Sequence, residues 1–133
     1  MSRGQDADFG VIRALYDRFN TGDRERAFDL LHPDCEFHQN PDFPGERIHR
    51  GREGFERGLD VFLNEWDDFR FEPVEVVAGE HVWMRVRIGG RGRVSGVPVE
   101  ADVFHVWELR DGSPFRCRVF LAEGESRVAA GLA

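Results

Sequence analysis

The sequence predicts a single α+β domain in which a curved, mixed or antiparallel sheet wraps around three helices from the first half of the chain. Apolar residues recur at steps of three and four in the first half and at steps of two in the second half. A run of helices followed by a run of strands is typical of the α+β class. The chain has 133 residues, the ordinary size of one domain, so we expect residues 1–133 to form it alone.

Two helices are predicted before Pro33. The first carries one apolar stripe at helical spacing, formed by Phe9, Ile12, Leu15, Tyr16 and Phe19. Gly22 suits a left-handed turn after this helix, and Asp23 suits the N-cap of the next one. The second helix is short, and it should end before Pro33 because proline restricts the residue that precedes it.

A short strand, a loop and a third helix follow. Residues 35–39 alternate between apolar and polar side chains, which is typical of a strand. Pro41, Pro44 and Gly45 predict the loop, and Ile48 marks a brief extended return. The third, longer helix begins near Glu53. Its apolar face is predicted to consist of Phe55, Leu59, Phe62 and Trp66, at steps of four, three and four.

Strands fill most of the remaining chain, and the short turns between them predict an antiparallel meander. Phe69 and Phe71 begin the first strand, and Pro73 predicts a bulge because the apolar parity shifts after it. Further strands are predicted at residues 82–88, 102–108 and 115–121, with a short helix at 123–130. A long twisted sheet curls, so the helices should cover its concave side and leave an apolar pocket between the layers.

Composition and charge narrow the classes of partner. The net charge of −7 disfavours a nucleic-acid partner, because a phosphate backbone attracts basic surfaces. No apolar run is long enough to span a membrane, and no apolar leader begins the chain. The five histidines form no HxH or HxxxH pair, so we expect neither a metal nor a cofactor. We therefore predict a cytoplasmic protein without a membrane partner, with Cys35 and Cys117 reduced.

Four motifs carry a resemblance to a known family. They are FNTGD at 19–23, HPDCEF at 32–37, RGREG at 50–54 and VWELRDG at 106–112. In this order and spacing they resemble the SnoaL-like branch of the NTF2-like superfamily, which includes ketosteroid isomerase. The resemblance spans almost the whole chain and implies a conical α+β fold with an apolar pocket. It does not imply one reaction, since relatives include isomerases, polyketide cyclases, hydrolases, dehydratases and non-catalytic dimers.

The catalytic set of ketosteroid isomerase does not carry over to this chain. The resemblance places Leu15 where that enzyme has a tyrosine, with Tyr16 one residue away and about 100° round the helix. It places Gln39 where the enzyme has its base, and His105 where the enzyme has an acidic hydrogen-bond donor. Steroid isomerisation by that mechanism is therefore not expected.

His105 is the first candidate for chemistry. It lies between Val103 and Trp107 on the apolar parity of its strand, so its side chain should face the concave side. A histidine there suits a general acid or base. A core histidine bonded to a backbone carbonyl would have the same pattern, and the sequence leaves both interpretations open.

A polar cluster at the end of the first strand supplies further candidates. Gln39 shares the parity of Phe37 and should point inward, where Gln39 and Asn40 could hold a ligand oxygen or a water. His38 has the opposite parity and should be solvated. Asp42, in the loop, is the only nearby carboxylate and is therefore the candidate base.

Aromatic residues are predicted to form the pocket walls, and an aromatic set at helical spacing is also typical of core. The predicted wall residues are Phe37, Phe55, Phe62, Trp66 and Trp107. Tyr16 lies at the edge of the first helical stripe. Its hydroxyl either reaches the pocket mouth as a ligand contact or lies in water while the ring packs.

The opposite parity of the same strands predicts the convex face of the sheet. Arg85 and Arg87 share this face with Asp102 and Glu108, so cross-strand ion pairs are expected. The aromatic residues of the face are Trp83, Phe104 and Phe120. Such a mixture suits a two-fold interface, and the resembled family dimerises through this surface, so we predict a homodimer through the convex face.

Two functions remain open on the sequence. The first is a protein that binds a small apolar metabolite and isomerises, cyclises or hydrates it, with His105 carrying the proton and Gln39 or Tyr16 holding the oxygen. The second is a non-catalytic homodimeric module whose pocket is only core. The lack of any predicted inward carboxylate favours the second.

Overall fold

The computed structural model describes residues 3–43 and 45–132, with side chains from residue 7 onward. Met1, Ser2 and Ala133, at the ends of the predicted domain, and Pro44, in the predicted loop, lie outside the described residues. The elements are α1 (Arg3–Asn20), α2 (Arg24–Phe28), β1 (Glu36–His38), β2 (Ile48–Arg50), α3 (Gly51–Leu63), β3 (Trp66–Ala78), β4 (Val82–Gly92), β5 (Pro98–Arg110), β6 (Ser113–Phe120) and α4 (Glu123–Ala129).

One six-stranded sheet, in the order β2-β1-β6-β5-β4-β3, forms the second layer of the domain. Strands β3 to β6 make the predicted antiparallel meander. The parallel pairing of β1 with β6 then places the first strand beside the last, with Phe37 opposite Cys117. Helices α1, α2 and α3 pack their apolar residues against the inner face of this curved sheet. The predicted α+β class is confirmed.

Trp66 corrects the prediction for the third helix. Helix α3 ends at Leu63, and Trp66 is the first residue of β3, where it pairs with Gly92 of β4. The Trp66 ring nevertheless stays close to α3, with its centroid 6.3 Å from that of Phe62. At Trp66 the backbone forms its hydrogen bonds with β4 and not within a helix, so α3 ends before this residue.

The predicted bulge in β3 is confirmed. The register between β3 and β4 shifts between Pro73 and Glu75, and again between Asp67 and Arg70. Each shift adds to the local bend of a strand. Together they help the outermost strand to follow the curl of the sheet.

Asn20, in the FNTGD motif, joins α1 to the edge strand β3. Its Nδ2 donates to the carbonyl of Phe71 at 2.7 Å, and its Oδ1 accepts from the amide of Phe71 at 3.0 Å. A side-chain amide thereby takes the place of a neighbouring strand at this residue. Asp23 stands at the predicted N-cap position of α2, but its carboxylate pairs with Arg26 rather than with a helical amide.

The RGREG motif joins α3 to the elements before it. Gly51 has a φ of +75°, in the left-handed region that favours glycine, and its amide donates to the carbonyl of Cys35 at 2.7 Å. The guanidinium of Arg52 donates to the carbonyl of Leu31 through Nε at 2.9 Å and through Nη2 at 2.7 Å. These bonds fix the start of α3 beside β1, at the floor of the space between the layers.

Helix α4 covers part of the convex face of the sheet. The indole of Trp83 is fully buried and donates to Ser126 Oγ at 2.7 Å, while Arg127 lies over its ring. Phe104, predicted to lie on this face as part of a dimer interface, is 5% exposed. Trp83 and Phe104 of the predicted dimer surface are therefore covered within the chain itself, and Phe120 is half-buried.

The ion pairs predicted for the convex face are confirmed. Arg87 lies directly opposite Asp102 and donates to its carboxylate at 3.1 Å. Glu108 pairs with Arg116 of β6, and also lies 3.1 Å from His81. Within the part of the chain that the structure describes, no helix has the length and apolar character needed to cross a membrane.

Candidate functional site

An aromatic cavity lies between the helices and the inner face of the sheet. Its volume is about 90 Å³. Most of its lining residues are apolar, and the polar side chains among them are Tyr16, Gln39, His105 and Cys117. The apolar lining residues are Leu15, Phe19, Ala27, Phe28, Phe37, Phe43, Phe55, Leu59, Phe62, Phe71, Ile88, Val103, Trp107 and Val119.

Two periodicities bring the central residues of the cavity together. Strand β5 points every second side chain inward, which presents Val103, His105 and Trp107 to the cavity in a row. Helix α1 presents Leu15 and Tyr16, two consecutive residues. The sheet curls around the helix, so the buried arc of α1 is wide enough to include both.

Tyr16, His105 and Trp107 form one buried hydrogen-bonded group. The oxygen of Tyr16 lies 2.6 Å from Nδ1 of His105, and it accepts a hydrogen bond from Nε1 of Trp107 at 2.8 Å. Tyr16 and His105 are each 6% exposed. The interpretation in which the Tyr16 hydroxyl lies in water is therefore wrong.

Burial decides the charge state of this group. It lowers the pKa of His105 to about 4, because the cavity disfavours an imidazolium. Burial also raises the pKa of Tyr16, with the nearby Cys117 adding to the effect and the hydrogen bond from Trp107 opposing it. The thiol of Cys117 has its pKa raised by burial as well. At neutral pH all three side chains are uncharged.

His105 and Gln39 leave polar atoms directed to the cavity. Nε2 of His105 makes no hydrogen bond to any described residue, whereas Nδ1 is held by Tyr16. Oε1 of Gln39 accepts the backbone amide of Asn40 at 2.9 Å, which leaves the Gln39 amino group as a donor. The polar groups offered to a ligand are therefore few and uncharged.

Phe37, Phe55, Phe62 and Trp107 all line the cavity, as the sequence predicts for its walls. The ring of Phe55 stacks on Trp107 with centroids 6.1 Å apart and 16° between the ring planes. The Phe37 ring contacts Phe55 from another side at 5.0 Å. These rings form one continuous apolar wall.

Three predicted site residues do not line the cavity. Asp42 is exposed in the loop, where its amide donates to Oδ1 of Asn40 at 2.9 Å. Asn40 is buried, and its Nδ2 donates to the carbonyl of Val119, so its side chain anchors the loop instead of facing a ligand. Trp66 lies beyond Phe62 at the start of β3.

His38, predicted to face away from the cavity, forms a hydrogen bond with Glu36 at 2.8 Å on the outer side of the sheet.

The sequence prediction missed several wall residues. Phe43 comes from the loop after β1, and it contacts Phe62 across the cavity with centroids 5.7 Å apart. A loop has no periodicity, so no local signal marks Phe43. Cys117 and Val119 share the inward parity of β6 with Phe115, and that alternation was the signal that could have identified them.

The described residues offer no candidate metal centre. Across residues 3–43 and 45–132, no three His, Cys, Asp or Glu side chains come together as metal ligands would. The cavity itself presents one imidazole and one thiol among apolar walls. Its chemistry is that of neutral hydrogen bonding and apolar contact.

Residues 12–116 match the family model described as the SnoaL-like domain. The chain belongs to the SnoaL-like family. The matched region extends from the second half of α1 to the start of β6, and so includes Tyr16, Gln39, His105 and Trp107. No curated protein matches the chain.

Solved structures show the same SnoaL-like fold across almost the full length. Bal32a, from a soil-derived mobile gene cassette, has 17% identity and a TM-score of 0.79, covering 93% of this chain and 95% of its own. TerC, co-crystallised with polyporic acid, has 21% identity and a TM-score of 0.76, covering 90% and 94%. A proposed polyketide cyclase from Xanthomonas campestris pv. campestris has 19% identity and a TM-score of 0.77, covering 92% and 95%. These likenesses establish the fold.

Proposed function

We propose that this SnoaL-like protein binds a small apolar metabolite with a carbonyl oxygen in the aromatic cavity, and catalyses isomerisation or ring closure next to that carbonyl. The observation that carries the proposal is the unpartnered Nε2 of His105 in an apolar, aromatic space. A neutral imidazole N–H can polarise a carbonyl by donating to its oxygen. TerC, a structural neighbour, was crystallised with polyporic acid, which supports a small-molecule ligand for this fold.

His105 serves this reaction better as a donor than as a proton shuttle. With a pKa of about 4, the ring is almost never an imidazolium at neutral pH. Reactions next to a carbonyl develop negative charge on its oxygen, and a donor placed there lowers the barrier. Gln39 offers a second donor from the cavity wall. Tyr16 already uses its hydroxyl within the buried group, so it is less suited to hold the ligand.

Acetophenone and ethylbenzene form a matched pair of probes, since they have similar shapes and only the first has a carbonyl. We expect acetophenone to bind about fivefold more tightly than ethylbenzene, because one hydrogen bond contributes roughly 1 kcal/mol to the binding free energy. Chemical shifts of the Trp107 indole N–H during an NMR titration would measure both affinities. His105→Phe keeps a ring in place and should remove the preference while retaining ethylbenzene binding.

Two results would contradict this proposal. Equal affinity of the wild-type protein for both probes would exclude a donor at His105, and no binding of either probe would exclude the cavity as a site. Catalysis has a separate readout in deuterium exchange of the acetophenone methyl group in D₂O, where deuteroxide from solvent takes the α-proton, His105 Nε2 donates to the carbonyl oxygen, and D₂O returns a deuteron to the carbon. The wild-type protein should accelerate this exchange, and His105→Phe should reduce the acceleration by about a hundredfold to a thousandfold.

A second candidate function is a non-catalytic homodimeric module. It is favoured by the uncharged lining, since no Asp or Glu is found among the described residues around the cavity to act as a base. In this case deuterium exchange stays at the rate of buffer alone. We propose a dimer through the uncovered part of the convex face, near Arg87 and Asp102. Light scattering at micromolar concentration should give the mass of a dimer, and a monomer would rule out this candidate.

A further inference from the structure

The hydrogen bonds among Trp107, Tyr16 and His105 have a defined direction. The indole Nε1 of Trp107 can only donate, so the oxygen of Tyr16 is the acceptor of that bond. Tyr16 has one proton of its own, and the only other described partner of its oxygen is Nδ1 of His105. The Tyr16 proton therefore points at Nδ1.

An acceptor at Nδ1 determines where the ring proton of His105 lies. A neutral imidazole has one N–H and one bare nitrogen. Because Nδ1 receives the Tyr16 proton, Nδ1 is the bare nitrogen and Nε2 carries the hydrogen. In the other tautomer, two donors would face the Tyr16 oxygen and the Tyr16 proton would have no described acceptor.

We infer that Tyr16 and Trp107 are positioning residues that hold His105 as the neutral tautomer with its proton on Nε2, so that the ring can only donate to the cavity. The role of this N–H toward a ligand rests on the proposed function. The tautomer itself is a property of the ligand-free protein. The other tautomer would leave the buried Tyr16 proton without an acceptor, whereas a proton on Nε2 lies at the cavity, where water can accept it, so the bias should be roughly tenfold to a hundredfold.

Among the described residues around His105, no charged side chain competes with this arrangement. Its strand neighbours are Met84 on β4 and Val119 on β6, and Phe71 of β3 packs with its ring centroid 5.9 Å away. Among the described residues that line the cavity, the other titratable groups are Tyr16 on α1 and Cys117 on β6. Both are neutral at physiological pH because burial raises their pKa values.

Long-range ¹⁵N NMR of histidine-labelled, ligand-free protein tests the inference, with His105→Gln used to assign the His105 signals. We expect Nε2 of His105 to give the signal of a protonated ring nitrogen at neutral pH, and Nδ1 that of a bare nitrogen accepting a hydrogen bond. A protonated Nδ1, or signals averaged between the two tautomers, would overturn the inference.

Two variants separate positioning from packing. Tyr16→Phe removes the proton that holds Nδ1, so the ratio of the two tautomers should fall by about tenfold or more. Phe71→Leu is the matched control, because the Phe71 and Tyr16 rings both lie 5.9 Å from the His105 ring and Phe71 makes no hydrogen bond to it. Phe71→Leu should leave the tautomer unchanged. An unchanged tautomer in a folded Tyr16→Phe variant would overturn the inference.

The result is independent of the probe titrations. If acetophenone fails to bind while Nε2 carries the proton, the proposed function is lost and the positioning role stands. If acetophenone binds preferentially while the tautomers are mixed, the positioning role is lost and the binding site stands.

Discussion

Replacing Phe55 with alanine should lower the free energy of unfolding by roughly 3–5 kcal/mol. The side chain is 5% exposed, and its ring stacks on Trp107 and contacts Phe37 and Phe28, with centroids 5.0–6.1 Å away. Removing the ring takes away these contacts and enlarges a cavity that the surrounding walls can only partly close. A domain of this size has a total stability of about 5–15 kcal/mol, so the loss is a large share. Urea denaturation followed by tryptophan fluorescence would measure it.

Val61→Ala is the matched control on the same helix. Val61 is 63% exposed, so its truncation should change stability by no more than about 0.5 kcal/mol. Benzene should raise the thermal midpoint of Phe55→Ala more than that of the wild-type protein, since it can occupy the new apolar space. A loss below about 1 kcal/mol for Phe55→Ala would contradict the packing described for the wall.

Acidification should destabilise the protein through His105. The unfolded chain binds a proton at this residue with a pKa of 6.5, whereas burial lowers the pKa in the native state to about 4. Between these two values only the unfolded state gains the proton, so stability falls as the pH falls. From pH 8 to pH 5 the contribution of His105 should be about 2 kcal/mol, and it should level off below about pH 4.

His105→Gln isolates this contribution, because glutamine does not titrate. The difference in unfolding free energy between the wild-type protein and His105→Gln should change by about 2 kcal/mol from pH 8 to pH 5. Val61→Ala, which changes an exposed side chain without a titratable group, should keep the wild-type pH dependence. Measurements above pH 5 avoid Glu36, whose pKa is lowered by hydrogen bonds from His38 and Arg116 and whose stabilisation is lost at lower pH. Parallel profiles for wild type and His105→Gln would show that His105 titrates normally.

Most of the elements could be predicted because their signals are local. The stripe of α1, the alternation of β4 and β5, and the bulge at Pro73 each depend on residues within a few positions of one another. Trp66 shows the limit of such signals. Its spacing from Phe62 continues the helical period, and only its pairing with Gly92, far along the chain, makes it a strand residue.

The sequence likewise predicted only part of the candidate site. The inward direction of His105 and Gln39 followed from strand parity, and both line the cavity. The helical stripe placed the Tyr16 ring at its edge and did not predict whether the hydroxyl is buried or exposed to water. How far the sheet wraps around α1 decides whether an edge residue meets water or protein, and that curvature belongs to the whole sheet.

From the sequence alone, the alternation of β5 and the stripe of α1 predicted the α+β class and the inward direction of the His105 side chain. The tertiary structure alone decided what His105 contacts. Tyr16 and His105 are 89 residues apart, and Tyr16 and Trp107 are 91 residues apart. Hydrogen bonds across such separations depend on how the helix settles into the curled sheet, and no local periodicity encodes that placement. The buried group that makes His105 a neutral donor is therefore a product of the assembled fold.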